Sequence, residues 1–87
     1  MYKIVYTKIA IKHIDKLKQA NLASKTKALL EVIKQNPYQT PPPYENLLGD
    51  LEGKYSRRIN IQHRLVYEVY EDIKTIKILS MWTLYEY

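Results

Sequence analysis

All four prolines and both glycines of this 87-residue chain fall between residues 37 and 53, in the stretch PYQTPPPYENLLGDLEG. Proline cannot continue a helix, has no N–H to give a central strand, and pushes the residue before it towards extended backbone. The chain is thereby cut in two. Whatever precedes Pro37 and whatever follows Gly53 must each complete its own secondary structure. The stretch between them carries too much Leu and Tyr for a free linker, and is expected to be a poorly regular arm packing over a sheet.

Before the arm, Tyr2-Lys3-Ile4-Val5-Tyr6 reads as a short strand, rich in β-branched and aromatic residues. Thr7 suits the N-cap of a helix over about residues 8–19, with Ala10, Ile14 and Leu17 on one face. Asn21 is placed to cap a second helix over about 22–35, in which Leu22, Thr26, Leu29, Leu30 and Ile33 form a core-facing stripe. Asn36-Pro37 ends it. After the arm come three strand candidates, at 54–60, 63–70 and 75–82. The first two lie so close, around Ile61-Gln62, that they imply a hairpin. The order β-α-α-β-β-β predicts one α+β domain, residues 1–87, with two helices packed on one face of a mostly antiparallel sheet. The other face is left for function.

Composition narrows that function. The absence of cysteine excludes a disulfide framework and thiolate chemistry. Two histidines give no basis for a histidine-rich metal site, and no cofactor is expected. No apolar run reaches the ~18–20 residues of a membrane span, and lysines interrupt the N-terminal stretch, so neither an anchor nor a signal peptide is visible. A cytoplasmic protein is expected. Fourteen Lys and Arg against nine Asp and Glu give a net charge of +5, which favours polyanions.

The distribution of that charge says more than the total. The basic residues before Pro37 are lysines, mostly on the predicted helices, whereas Arg57, Arg58 and Arg64 fall within eight residues. Arginine is suited to planar, bidentate phosphate contacts. Strand periodicity puts Arg64, Val66 and Glu68 on one face and Leu65, Tyr67 and Val69 on the other. Arg58 lies on the strand paired with that of Arg64. Two neighbouring guanidiniums repel unless an anion sits between them; the alternative is two surface arginines paired with Glu68, Glu71 or Asp72. Glu45, in the arm, reads either as a solvated loop carboxylate or as a base. His63 reads as a base or as a turn residue, and His13, among helical lysines, as exposed and idle. Of the nine tyrosines, Tyr2, Tyr6, Tyr67 and Tyr70 read as wedges between sheet and helices. Tyr44, Tyr55, Tyr85 and Tyr87 are better placed for contact with a ligand.

Three segments together, Tyr55-Ser56-Arg57-Arg58-Ile59, His63-Arg64-Leu65-Val66-Tyr67 and Ser80-Met81-Trp82-Thr83-Leu84-Tyr85-Glu86, resemble the Txe/YoeB branch of the RelE superfamily of toxins from type II toxin–antitoxin systems. The likeness extends over the whole chain, including Glu45-Asn46-Leu47 and the Leu51-Glu52-Gly53 step. It implies a RelE-like fold and a metal-independent endoribonuclease that cuts mRNA in the ribosomal A site. It also implies an acidic antitoxin as partner, with a homodimer as a further possibility. Carried over by position, Glu45 is the general base, Arg64 grips the scissile phosphate, Arg58 assists it, and Tyr85 orients the substrate. Arg57, Tyr55 and Lys54 are the flanking residues expected to meet RNA. Two positions depart from the family pattern. Leu84 stands where the family carries its general-acid histidine, and Leu48 where it often has a lysine. Losing a general acid commonly lowers the rate by about 10²–10⁴. The resemblance therefore implies either a weakened nuclease or a module that acts by occupying RNA or antitoxin.

Overall fold

The computed structural model describes residues 1–82; Leu84, Tyr85 and Tyr87 lie outside the described residues. Strand β1 (Lys3–Tyr6) leads into helix α1 (Lys8–Gln19) and helix α2 (Ala23–Gln35). Strands β2 (Glu45–Asn46), β3 (Lys54–Arg58), β4 (Arg64–Tyr70) and β5 (Thr75–Ser80) follow. They form a five-stranded sheet in the order β1-β5-β4-β3-β2, parallel only between β1 and β5. No helix among the described residues is long and apolar enough to cross a membrane.

Thr7 caps α1 as expected: its Oγ accepts from the Ala10 N–H at 3.0 Å, and its hydroxyl donates to the Leu79 carbonyl at 2.9 Å. One side chain thus starts the helix and ties it to β5. Ala10 and Leu17 are buried, but the third member of the α1 stripe is His13 rather than Ile14. The i, i+3, i+7 spacing runs through residues 10, 13 and 17, which leaves Ile14 at the edge, 37% exposed. His13 is not idle, because its Nδ1 accepts the buried Met81 N–H at 3.0 Å. A flanking run of lysines hid the side chain that satisfies that backbone donor.

The turn into α2 corrects another expectation. Asn21 does not cap the helix; it takes a left-handed conformation (φ +58°), and Leu22 holds the N-cap position without a side-chain bond. Asparagine is among the few non-glycine residues that accept this backbone, and the tight α1–α2 turn needs it. The stripe on α2 is as read, with Leu22, Thr26 and Ile33 buried and Leu29 and Leu30 packed against the core. Asn36 ends the helix.

The core lies between the helices and one sheet face. Leu65, Tyr67, Ile76 and Ile78 are fully buried there, each side chain contributing about 1.5–3 kcal/mol. The β3–β4 hairpin closes at Ile59 and His63, where the Ile59 N–H donates to the His63 carbonyl at 2.8 Å. Asn60 shapes the loop, its Oδ1 accepting from the N–H groups of Gln62 (2.9 Å) and His63 (2.7 Å). The strands are accordingly shorter than the sequence suggested. The arm holds the main surprise: β2 adds a fifth strand at the sheet edge, pairing Glu45 with Ser56 and Asn46 with Tyr55.

Candidate active site

Sheet register builds the site. Cross-strand partners share a face, and the face alternates at each residue. The pairs Glu45↔Ser56↔Val66 and Arg58↔Arg64 therefore put Glu45, Ser56, Arg58 and Arg64 on the side away from the helices. The pairs Arg57↔Leu65 and Tyr55↔Tyr67 face the core.

On the open face, Arg64 Nη1 donates to Glu45 Oε1 at 2.9 Å. Structure thus joins the arm carboxylate to the strand arginine, nineteen residues apart in sequence. The Glu45 side chain is 63% exposed and that of Arg64 25%. Exposed pairs of this kind are worth about 0–1 kcal/mol, so an anion that binds arginine better can displace the carboxylate. The pair borders a cavity of about 220 Å³ that is also lined by Ser56 and Arg58. Arg58, the exposed last residue of β3, makes no ion pair among the described residues. It also borders a second cavity, of about 280 Å³, against Leu29 and Val32 of α2. Two guanidiniums and one carboxylate leave the first cavity with an excess positive charge.

Among the described residues, no other carboxylate pairs with these arginines. Glu68 faces Lys54 across the next cross-strand pair, 3.8 Å away. Lys54 is thus on the site face but partly neutralised. Glu71 accepts from Tyr38 (2.7 Å), Tyr2 (2.9 Å) and Lys74 (3.2 Å). The phenol of Tyr38 is first among the causes that hold the Glu71 carboxyl below its ordinary value.

Two residues expected to touch RNA are elsewhere. Arg57 is fully buried on the core face. Its Nε donates to the Tyr67 hydroxyl (3.1 Å), Nη1 to the Pro42 carbonyl (2.6 Å), and Nη2 to the carbonyls of Pro37 (3.1 Å) and Gln39 (2.8 Å). The Tyr44 ring lies 5.0 Å from the guanidinium carbon. Prolines at 37, 41, 42 and 43 deny the arm a regular ladder, and the guanidinium collects the carbonyls that are left over. Tyr55 packs edge-on against Tyr38 and Tyr44 and tilted against Tyr67, at 5.6–5.8 Å between ring centres. Burial pushes the Tyr67 phenol up, with Arg57 opposing. Arg57 and Tyr55 therefore hold the arm in place rather than reaching the open face. The register of the hairpin was the signal that could have found this.

His63 is turned away as well. Its ring stacks on Trp82 at 3.9 Å, and its Nδ1 lies 3.1 Å from the Trp82 carbonyl oxygen. That same carbonyl accepts from the Arg64 N–H at 3.1 Å, so Trp82, the last described residue, ends beside Arg64. Ser56 was missed by the sequence reading altogether: a small residue at a strand centre carries no signal until its neighbours are known.

Comparison with known proteins agrees with this architecture. Residues 10–85 match the model of the YoeB-like toxins of bacterial type II toxin–antitoxin systems. No curated protein matches the sequence. A YoeB/ParE toxin from Agrobacterium tumefaciens superposes with a TM-score of 0.85 at 27% identity, over 95% of this chain and 99% of that one. The toxin chain of a YoeB–YefM complex from Staphylococcus aureus is 34% identical, with a TM-score of 0.81 over 98% of this chain and 99% of the other. Escherichia coli YafQ, at 17% identity, shares the fold, with a TM-score of 0.79 over 97% of this chain and 94% of its own. Helices, sheet, matched residues and structural relatives converge on one conclusion: the chain belongs to the family of YoeB-like toxins of bacterial type II toxin–antitoxin systems.

Proposed function

We propose that this toxin is a metal-independent endoribonuclease acting on mRNA in the ribosomal A site. The observation that carries the reading is the Glu45–Arg64 contact of 2.9 Å at the rim of a cationic cavity. In the cleavage, the ribose 2′-oxygen attacks the adjacent phosphorus, the bond to the 5′-oxygen breaks, and a 2′,3′-cyclic phosphate remains. Glu45 accepts the proton of the 2′-hydroxyl. Arg64, exchanging its carboxylate partner for a phosphate oxygen, stabilises the charge that builds on the phosphorane. Arg58 adds a second positive contact, and Lys54 extends the basic track along the sheet. Displacement of Glu45 from Arg64 couples binding to catalysis, because the base is released as the phosphate arrives.

The departing 5′-oxygen needs a proton, which a leucine cannot give. Leu84 thus weakens the proposed reaction, while Tyr85 orients the substrate. The same Leu84 favours a second reading, in which the protein binds RNA or its antitoxin without cutting. In either case an acidic antitoxin segment covers the basic open face in the cytoplasm. The YoeB–YefM complex from Staphylococcus aureus is the relative that supports such a partner, and a YoeB dimer from that organism, 32% identical, supports self-association.

Cleavage of ribosome-bound mRNA separates the two readings. Leu84→His is expected to raise the rate by about 10²–10⁴, and adding Glu45→Ala to remove that gain. If Leu84→His cuts no better than the parent and Glu45→Ala changes nothing in that background, the nuclease reading fails.

A further inference from the structure

Ser56 is 1% exposed, and its hydroxyl has no hydrogen-bond partner among the described residues. Buried polar groups are nearly always satisfied, so an orphan hydroxyl calls for a reason. Its position suggests one. Glu45 lies on β2 and Arg64 on β4, and β3 runs between them. Across about 10 Å from β2 to β4, the ion pair has to arch over the site face of β3, where Ser56 is opposite Glu45 on one side and Val66 on the other. A bulky side chain at 56 stands in the way of that arch; a serine does not. Size alone, however, is met equally well by alanine, and alanine leaves no orphan.

We infer that the Ser56 hydroxyl is a ligand-binding donor, which hydrogen-bonds a non-bridging oxygen of the RNA phosphate held between Arg58 and Arg64. In the free protein the hydroxyl is closed off from solvent, and Ser56 shares the lining of one cavity with Glu45, Arg58 and Arg64. An incoming phosphate draws Arg64 from Glu45 and supplies the acceptor that the hydroxyl lacks. The neutral donor adds direction to a site whose other phosphate contacts are charges. It fixes which of the two non-bridging oxygens faces the sheet, and with it the line along which the 2′-oxygen approaches phosphorus. This assignment rests on the RNA-binding reading above.

The test uses the parent protein and a short RNA carrying 2′-deoxy sugars, which binds without being cut. Binding is measured with ordinary phosphate and with each phosphorothioate diastereomer at the central linkage. Sulfur accepts hydrogen bonds poorly, so one diastereomer is expected to bind about 3–10-fold more weakly to the parent. Ser56→Ala is expected to weaken the all-oxygen RNA by a similar factor and to erase the difference between diastereomers. Its melting temperature should be unchanged or higher, since an unsatisfied buried hydroxyl has been removed. Loss of binding on Arg64→Ala, with Ser56→Ala indistinguishable from the parent for every RNA, overturns the serine assignment and leaves the nuclease reading standing. No binding by the parent, or binding indifferent to Arg58→Ala and Arg64→Ala, overturns both.

Discussion

Arg57 and Arg58 are neighbours in the chain, yet the pleat of β3 sends one guanidinium into the core and the other to the open face. Arg57 is fully buried and bound to three backbone carbonyls of the arm and a phenol. Arg58 is exposed, and among the described residues neither it nor the cavity it borders has a neutralising partner beyond Glu45. A buried cation that cannot be hydrated has to fill its donors with the protein's own acceptors. An exposed one keeps them for a ligand. The same residue type therefore acts as a clamp on one face and as bait for an anion on the other, and the strand's period of two decides which.

Breaking the clamp should have the largest effect. Arg57→Ala leaves the carbonyls of Pro37, Gln39 and Pro42 and the Tyr67 hydroxyl without their donor, and is expected to lower stability by about 3–5 kcal/mol in urea or thermal unfolding. Arg58→Ala and Arg64→Ala should each stay within about 1 kcal/mol of the parent. Equal destabilisation by all three would erase the distinction between the faces.

Salt dependence of RNA binding sharpens the comparison from the other side. Each single-strand phosphate contact contributes about 0.7 to the slope of log K against log salt. Arg58→Ala and Arg64→Ala are expected to reduce that slope by about this amount each. A conservative Arg57→Gln variant, if it folds, should leave the slope alone. A slope that falls with Arg57→Gln and not with Arg64→Ala contradicts the assignment of faces.

The smallest expected effect concerns Glu71, a second anchor of the arm. The hydroxyls of Tyr38 and Tyr2 and the Lys74 ammonium lower its pKa in the fold, and it reciprocally raises that of Lys74. A carboxyl whose folded pKa is depressed adds stability above its unfolded pKa, and that contribution fades as pH falls through the folded value. Relative to Glu71→Gln, the parent should be slightly more stable at neutral pH, and the two melting curves should converge below the ordinary glutamate value of about 4.5. A stability difference that persists at pH 2–3 would place the effect outside this titration.

What could be read from the sequence followed from local rules. Thr7 before an apolar-periodic run, the Asn36-Pro37 stop and the alternation along residues 64–70 each constrain backbone and facing without knowledge of the rest. In the sequence only family resemblance links Glu45 and Arg64, because nothing in the eighteen intervening residues fixes the path of the arm. Strand β2 was missed because two residues are too few to show a period, and Glu45-Asn46 has little strand preference of its own. The neighbouring edge of β3 imposes the extended form. Arg57 was misassigned because three nearby arginines look alike until hairpin register places Arg57 opposite Leu65. His13 and Ser56 owe their roles to partners 68 residues away and on two other strands, which no local pattern encodes.

The separation of the two arginines can be watched atom by atom. The side-chain Nε–Hε resonances of Arg57, Arg58 and Arg64 can be followed by NMR while a 2′-deoxy-substituted RNA oligonucleotide is titrated in at low salt. Large shifts at Arg58 and Arg64, with Arg57 unmoved and still protected from solvent exchange, are the expected result. Shifts at Arg57 with Arg58 and Arg64 silent would contradict the account at its centre.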